Sequence, residues 1–239
     1  MLTIGLIGGM SWESTAIYYR LANELVRERL GGLHSARILM SSVDFAEVEE
    51  LQVSGNWDRA GAMLAAEASR LERAGADFLV LCTNTMHKVA DAIEHEVGIP
   101  LLHLGDVTAA AVRAEGLVAV GLLGTGFTMS EDFYSGRLES HGLRVLVPSE
   151  EDQALVHRVI YDELCLGVVR EESRQAYLAV VDRLVAGGAR GVILGCTEIE
   201  LLIGPDDLTV PSFPTTRLHV EAAVDRALDG GARERTGAT

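Results

Sequence analysis

Lysine is almost absent from this chain of 239 residues, in which Lys88 is the only one. A pyridoxal-phosphate enzyme needs a lysine for its Schiff base, so the sequence predicts chemistry without that cofactor. Cysteine is also sparse: Cys82, Cys165 and Cys196 form no even set and no C-x-x-C spacing. Their pattern argues against a disulfide scaffold and a structural zinc site, and it predicts no bound metal and reduced thiols in the cytoplasm.

Long apolar runs and positive charge are lacking as well. No run reaches the length that spans a membrane, and the first ten residues carry no basic segment or cleavage site. We therefore expect a soluble, cytoplasmic protein with no membrane partner. The formal net charge of −15 argues against nucleic acid as a partner, because phosphate backbones select basic surfaces.

The two halves of the chain repeat one order of segments. The apolar, glycine-containing run at 3–9 matches the run at 118–126, with Gly8 and Gly124 separated by 116 residues. Further along, Leu81 and Leu194 are separated by 113 residues. Offsets that drift so little indicate duplicated units of about 110 residues.

Each half alternates apolar strands with helical patterns, the order of a parallel sheet covered by helices on both faces. We expect an α/β fold with two similar doubly wound parallel-sheet (Rossmann-like) domains related by a pseudo-twofold axis, and the active site between them. The first domain is expected to comprise residues 1–104 plus 214–239, and the second residues 105–213. A helix is expected over 214–229, followed by a disordered tail from 230 to 239.

Ligands of open α/β sheets bind beyond the carboxyl ends of the strands, which directs attention to the loops there. Two such loops, at 82–85 and 195–198, carry reactive side chains, and the offset of 113 pairs Thr83 with Cys196. If the halves face each other, these two side chains flank one pocket. A carbon between them could lose a proton to one side and regain one from the other, and the helix amino termini after the loops would hold a carboxylate.

The segments TNTMH at 83–87 and GCTE at 195–198 resemble the Cys-Asn-Thr-x-His and Gly-Cys-Thr-Glu motifs of the aspartate/glutamate racemase family. The resemblance covers nearly the whole chain and is greatest to the branch of L-aspartate/glutamate-specific, broad-specificity racemases. It implies a cofactor-independent amino-acid racemase with a small amino-acid substrate, working as a homodimer. It also implies a two-base mechanism, in which Cys196 abstracts the α-proton of an L-amino acid and Thr83 returns one on the other face.

Thr83 stands where the family most often has cysteine, and Cys82 comes one residue earlier. Neighbouring strand residues point to opposite faces of a sheet, so Cys82 is expected to pack in the core, with Cys82 as second acid/base left as the alternative. A hydroxyl is a far weaker acid than a thiol. We therefore expect L-enantiomers to be accepted and D-enantiomers to be turned over poorly.

Cys196 is expected at a helix amino terminus that lowers the pKa of its thiol. Glu198 has two open interpretations, substrate or proton handling and capping of the helix. Cys165 is expected to be buried, in a region where some aspartate racemases of the family have a substrate-binding lysine, so the preferred amino acid stays open. His87 is expected to be a partly buried histidine with satisfied hydrogen bonds. The expected substrate contacts are Met10, Ser11, Gln52, Asn84, Thr85, Thr197 and Glu198.

Two other functions stay open at this point. A superfamily decarboxylase or isomerase with one cysteine can protonate a planar intermediate without first removing a proton. A non-enzymatic amino-acid binding protein would also have two lobes and a ligand site, although a reactive cysteine at 196 has little purpose in it.

Overall fold

The computed structural model describes the backbone of residues 1–236 and the side chains of residues 1–230. The chain divides into two compact units, Met1–His103 with His219–Thr239, and Leu104–Leu218. Each unit contains one parallel sheet, which confirms the predicted α/β class. In the described part of the chain no helix has both the length and the apolar character needed to cross a bilayer.

The first unit has a three-stranded sheet in the order β2-β1-β3, and Leu101 extends it through a parallel bridge to Leu79. A 3-10 helix, Thr85–Val89, follows the third strand. The strands are β1 (Ile4–Gly8), β2 (Ile38–Ser42) and β3 (Phe78–Leu81), and the helices are α1 (Trp12–Leu30), α2 (Phe45–Val53), α3 (Trp57–Arg73) and α4 (Ala90–Glu96).

The second unit has a four-stranded sheet in the order β5-β4-β6-β7. Its strands are β4 (Ala119–Gly124), β5 (Arg144–Leu146), β6 (Val192–Gly195) and β7 (Ser212–Pro214). Its α-helices are α5 (Leu104–Ala114), α6 (Gly126–Ser130), α7 (Asp132–Ser140), α8 (Glu150–Asp162) and α9 (Glu171–Ala186), with 3-10 helices at Leu164–Leu166, Thr197–Leu201 and Pro205–Asp207.

Alternation along the central strands places apolar side chains on both faces of each sheet. In β1, Ile4 and Leu6 pack in one cluster with residues of α1, whereas Ile7 packs in another with residues of α3. In β6, Ile193 and its neighbours Val192 and Leu194 divide in the same way between two clusters of the second unit. Both sheets are therefore covered by helices on two faces.

Local signals set both ends of helix α1. Ser11 caps α1 by accepting the Ser14 N–H, and Gly31, with φ at +75°, ends it after Leu30. Helix α2 lies in a part of the chain for which no helix is predicted above. Asp44 caps this helix by accepting the Ala46 N–H.

The carboxyl-terminal helix α10 (Thr215–Thr236) belongs to both units. The division between the compact units falls between Leu218 and His219. The first turn of α10 is bonded to the second unit, since the Thr215 hydroxyl donates to the Leu194 carbonyl. The expected disordered tail is wrong over 230–236, which are helical. Its last part, 237–239, lies outside the described residues.

Candidate active site

The two loops of interest in the first unit follow adjacent parallel strands. Strands β1 and β3 pair with Ile7 opposite Leu81, so the turn after β1 and the motif after β3 emerge side by side at one sheet edge. This is the edge at which open α/β sheets bind ligands.

The turn after β1 is built around Gly9. Its φ is +96°, and its N–H donates to the Thr15 hydroxyl at 2.8 Å, which in turn donates to the Ser11 carbonyl at 2.9 Å. A β-carbon on Gly9 would lie 2.2 Å from the carbonyl oxygen of Val43. Glycine is therefore required both for the backbone conformation and for the close approach of the next loop.

We expect Gly9→Ala to lower the free energy of unfolding by about 3 kcal/mol or more, because strain at positive φ adds to a clash with backbone. The matched control is Gly32→Ala, where φ is +59° and an added β-carbon meets nothing within 4 Å, so only about 1 kcal/mol is lost. Urea denaturation of both variants measures the difference. Equal losses would contradict the packing that the structure shows at Gly9.

Met10 and Ser11 occupy this turn. The Met10 side chain is buried in the apolar cluster that includes Ile7 and Leu64. The Ser11 hydroxyl accepts the Ser14 N–H at 3.2 Å as the cap of α1. The buried Met10 side chain and the capping Ser11 hydroxyl both contribute to the structure of this turn.

The first motif separates Cys82 from Thr83. Cys82 is fully buried in the core, as expected, and burial raises the pKa of its thiol far above the ordinary range. Thr83 is partly exposed, whereas Asn84 and Thr85 are buried. Thr83 is therefore partly accessible where the neighbouring Cys82 is not.

Gln52 reaches the first motif from helix α2. Its side chain is buried, and its Nε2 lies 3.0 Å from the sulfur of Met86. Among the described residues no hydrogen-bond partner is found for its Oε1. A buried acceptor left in this state costs about 1–3 kcal/mol, so a donor from a ligand or water would be favourable there.

In the second unit, strands β4 and β6 pair with Gly124 opposite Gly195, which again places two loops side by side. The loop after β4 is contacted by His157 of helix α8. Its Nδ1 accepts the Gly126 N–H at 3.0 Å, so the proton of the neutral ring is on Nε2. No sequence spacing signalled this contact, because α8 brings the histidine in from 31 residues away.

Cys196 forms a direct pair with Glu198. The sulfur lies 2.9 Å from Glu198 Oε2, so the thiol donates to the carboxylate. Burial, followed by the negative charge of Glu198, raises the pKa of the Cys196 thiol well above its usual value. The expectation of a lowered pKa is therefore wrong: the helix that follows is a 3-10 helix of five residues, and an acidic side chain contacts the sulfur.

The first turn of α10 adds a residue to this loop that the sequence analysis missed. Thr197 and Thr216 are both buried, and their hydroxyls lie 2.8 Å apart. Two threonines after Pro214 are a typical helix-start pattern, so the helix was foreseeable, but its contact with Thr197 was not.

Cys165 is partly buried rather than fully buried, and it packs against the same apolar cluster as Cys196. Its proximity also contributes to the raised pKa of the Cys196 thiol. Among residues 1–230 no group of three or more histidine, cysteine, aspartate or glutamate side chains is arranged to hold a metal ion.

Comparison with known proteins places these loops in a family context. A Yersinia pestis protein, whose crystal structure was reported as that of a candidate Asp/Glu racemase, is 53% identical with a TM-score of 0.91, covering 95% of this chain and 100% of that one. An aspartate racemase homologue from Pyrococcus horikoshii OT3 is 34% identical with a TM-score of 0.84 and the same coverage. The broad specificity amino-acid racemase RacX of Bacillus subtilis (strain 168) is 23% identical over 164 residues, 67% of this chain and 69% of that protein.

The family model described as Asp/Glu/hydantoin racemase matches residues 7–223, which include both motifs and most of the two units. A non-enzymatic binding protein is therefore no longer a competing interpretation. The chain belongs to the Asp/Glu/hydantoin racemase family, and it is an isomerase.

Proposed function

We propose that this isomerase is an amino-acid racemase of the aspartate/glutamate type that works without a cofactor and prefers L-substrates. Two groups act on the substrate Cα: Cys196 on the face of the L-enantiomer and Thr83 on the opposite face. The observation that carries the proposal is the 2.9 Å pair between the Cys196 thiol and the Glu198 carboxylate. It supplies a proton acceptor beside a nucleophilic side chain that would otherwise stay protonated.

The raised pKa of Cys196 means that the thiolate must be generated during the reaction. The S–H proton passes to Glu198, which becomes a carboxylic acid, and the thiolate then takes the α-proton of the L-amino acid. The electron pair of the broken C–H bond stays on the substrate as a carbanion. The Thr83 hydroxyl donates its proton to the opposite face, and solvent returns a proton to Thr83 while Glu198 releases its own.

The single lysine of the chain supports a mechanism without pyridoxal phosphate. The ammonium of Lys88 lies 3.8 Å from the centroid of the Trp57 ring, a cation–π contact that already engages the only side chain able to form a Schiff base.

Substrate binding is proposed for polar groups around the two motifs. Asn84, Thr85 and Thr197 have short side chains suited to a carboxylate. The buried Oε1 of Gln52 is suited to a donor such as the substrate ammonium, because only an acceptor is available there. Ser11 and Met10 would contribute backbone groups of their turn.

Proton exchange at Cα tests this proposal. In heavy water we expect deuterium to enter L-glutamate or L-aspartate faster than the D-enantiomer forms, by about tenfold, because Cys196 can return a solvent-derived deuteron more readily than the Thr83 hydroxyl can donate one. Mass spectrometry of resolved enantiomers measures both rates across a panel of L-amino acids. The equilibrium constant of one forces equal kcat/KM in both directions, so the preference must appear as a lower kcat and a lower KM for D-substrates. No exchange into any L-amino acid would contradict the proposal.

A second reaction is favoured by the same thiol. A Cys196 that stays protonated is already a proton donor, which is all that a decarboxylase of a malonate-type acid requires at this position. Release of CO₂ from such acids, without Cα exchange of amino acids, would select this alternative.

We also propose that each unit forms a domain that carries one of the two motifs, and that the protein is a homodimer. The exposed aromatic residues Trp12 and Tyr19 on α1 are suited to a subunit interface, since they are 68% and 52% exposed. Sedimentation of the wild-type protein tests the dimer.

A further inference from the structure

Three histidines gather in the core of the first unit beside the first motif. His87, His103 and His219 are all buried, with ring centroids 4.6 Å apart for His87 and His103 and 6.0 Å apart for His87 and His219. Burial, with repulsion between neighbouring imidazoles, lowers the pKa of His87 well below its usual value. Burial lowers the pKa of His219 to about 4. At neutral pH both rings are therefore uncharged hydrogen-bonding groups.

The partners of these rings fix their tautomers. His87 Nδ1 lies 2.7 Å from the carbonyl oxygen of Thr83, and because a carbonyl only accepts, the proton of His87 is on Nδ1. His219 Nε2 donates to the Leu102 carbonyl at 2.8 Å, so its Nδ1 accepts from the Tyr18 hydroxyl at 3.0 Å. His87 thus bonds to the Thr83 carbonyl and packs near His219 of α10, which in turn bonds to Tyr18 of α1.

The equivalent loop of the second unit is held in a different way. The carbonyl of Cys196 accepts the backbone N–H of Ile199 at 3.1 Å, as part of the 3-10 helix that begins at Thr197. In the first unit the 3-10 helix begins at Thr85, and the His87 N–H bonds to the Asn84 carbonyl at 3.1 Å. The carbonyl of Thr83 therefore precedes the backbone hydrogen bonds of this 3-10 helix, and it accepts from the His87 side chain instead.

We infer that His87 is a positioning residue, whose Nδ1–H holds the Thr83 carbonyl and thereby orients the Thr83 hydroxyl for proton transfer to the substrate. This inference rests on the proposed function. The imidazole does not touch the reacting atoms: it bonds to the Thr83 backbone, and the hydroxyl is positioned through the shared α-carbon. The donor at Nδ1, rather than the volume of the ring, is the feature that matters.

Two substitutions separate the donor from the ring. His87→Asn keeps a donor, because the Asn Nδ2 occupies nearly the position of the histidine Nδ1, but it loses the ring. His87→Phe keeps a ring against His103 but loses the donor. We expect His87→Phe to lower the ratio of racemisation to same-face deuterium exchange of the L-substrate by about tenfold or more, and His87→Asn to change it by less than about threefold.

The ratio is informative because a loss of folded protein lowers racemisation and exchange together, whereas misplacement of Thr83 lowers racemisation alone. If His87→Phe does not fold, His87→Gln replaces it, since its donor lies one bond further out. The inference is overturned if the variants without a correctly placed donor keep the wild-type ratio, or if His87→Asn loses as much as they do.

Backbone amide exchange of residues 83–89 separates this inference from the proposed function. We expect exchange about tenfold faster in His87→Phe and within about threefold of wild type in His87→Asn, whether or not any amino acid is turned over. If wild type exchanges no Cα proton, the proposed racemase fails and amide protection alone decides whether His87 holds the loop. Equal protection in wild type and His87→Phe would overturn it.

Discussion

Replacing Cys196 by alanine is expected to reduce deuterium exchange at Cα of L-substrates by about 10³-fold or more, because the loop then has no thiolate to take the α-proton. Cys196→Ser is expected to be almost as inactive, since a serine hydroxyl is a much weaker acid than a thiol. Glu198→Gln removes the acceptor 2.9 Å from the sulfur while keeping its shape, and should cost about 10²-fold. Rates are measured by mass spectrometry in heavy water.

The matched control for this prediction is Cys82→Ala, which removes a thiol that lies fully in the core of the first unit. It should lose some stability but keep exchange per folded molecule within about threefold of wild type, as expected for a thiol without a chemical role. Full exchange activity in Cys196→Ala, or comparable losses in both variants, would contradict the assignment of Cys196 as the base.

Acid is expected to destabilise the first unit through its buried histidines. His219 is fully buried and its pKa is lowered to about 4, whereas an unfolded histidine titrates near its usual 6.5. Between these values the unfolded chain binds a proton that the native state does not. The contribution of His219 to the free energy of unfolding is therefore fully present above pH 6.5. It is lost as the pH decreases toward 4, which lowers the free energy of unfolding by about 3 kcal/mol from His219 alone. The lowered pKa of His87 adds a change of the same sign.

Urea denaturation at a series of pH values from 7.5 to 4 measures this effect, and the comparison variant is His219→Gln. Glutamine can still donate to the Leu102 carbonyl, but it has no proton to gain, so the pH dependence should become shallower by about the same 3 kcal/mol. Wild type and His219→Gln with the same pH dependence would show that carboxylates elsewhere cause the acid loss.

The sequence by itself determined the α/β class, the strands with their glycine turns, the two motif loops and the core position of Cys82. These features depend on local patterns: apolar runs of strand length, glycines at positive φ, capping residues and the alternation of strand side chains. The repeat of about 110 residues also predicts the pairing of Thr83 with Cys196, because it relates positions that no local pattern connects, and this pairing stays a prediction.

Only the tertiary structure decided which contacts hold these loops and in which direction the pKa of Cys196 is shifted. Tyr18 meets His219 across 201 residues, Gln52 meets Met86 across 34, and Thr197 meets Thr216 across 19. Contacts at such separations depend on how helices pack over a sheet, and nothing in the local pattern specifies them. The direction of the Cys196 pKa had the same cause: a helix amino terminus would lower it, but burial and the carboxylate of Glu198 are stronger, and both follow from the folded chain.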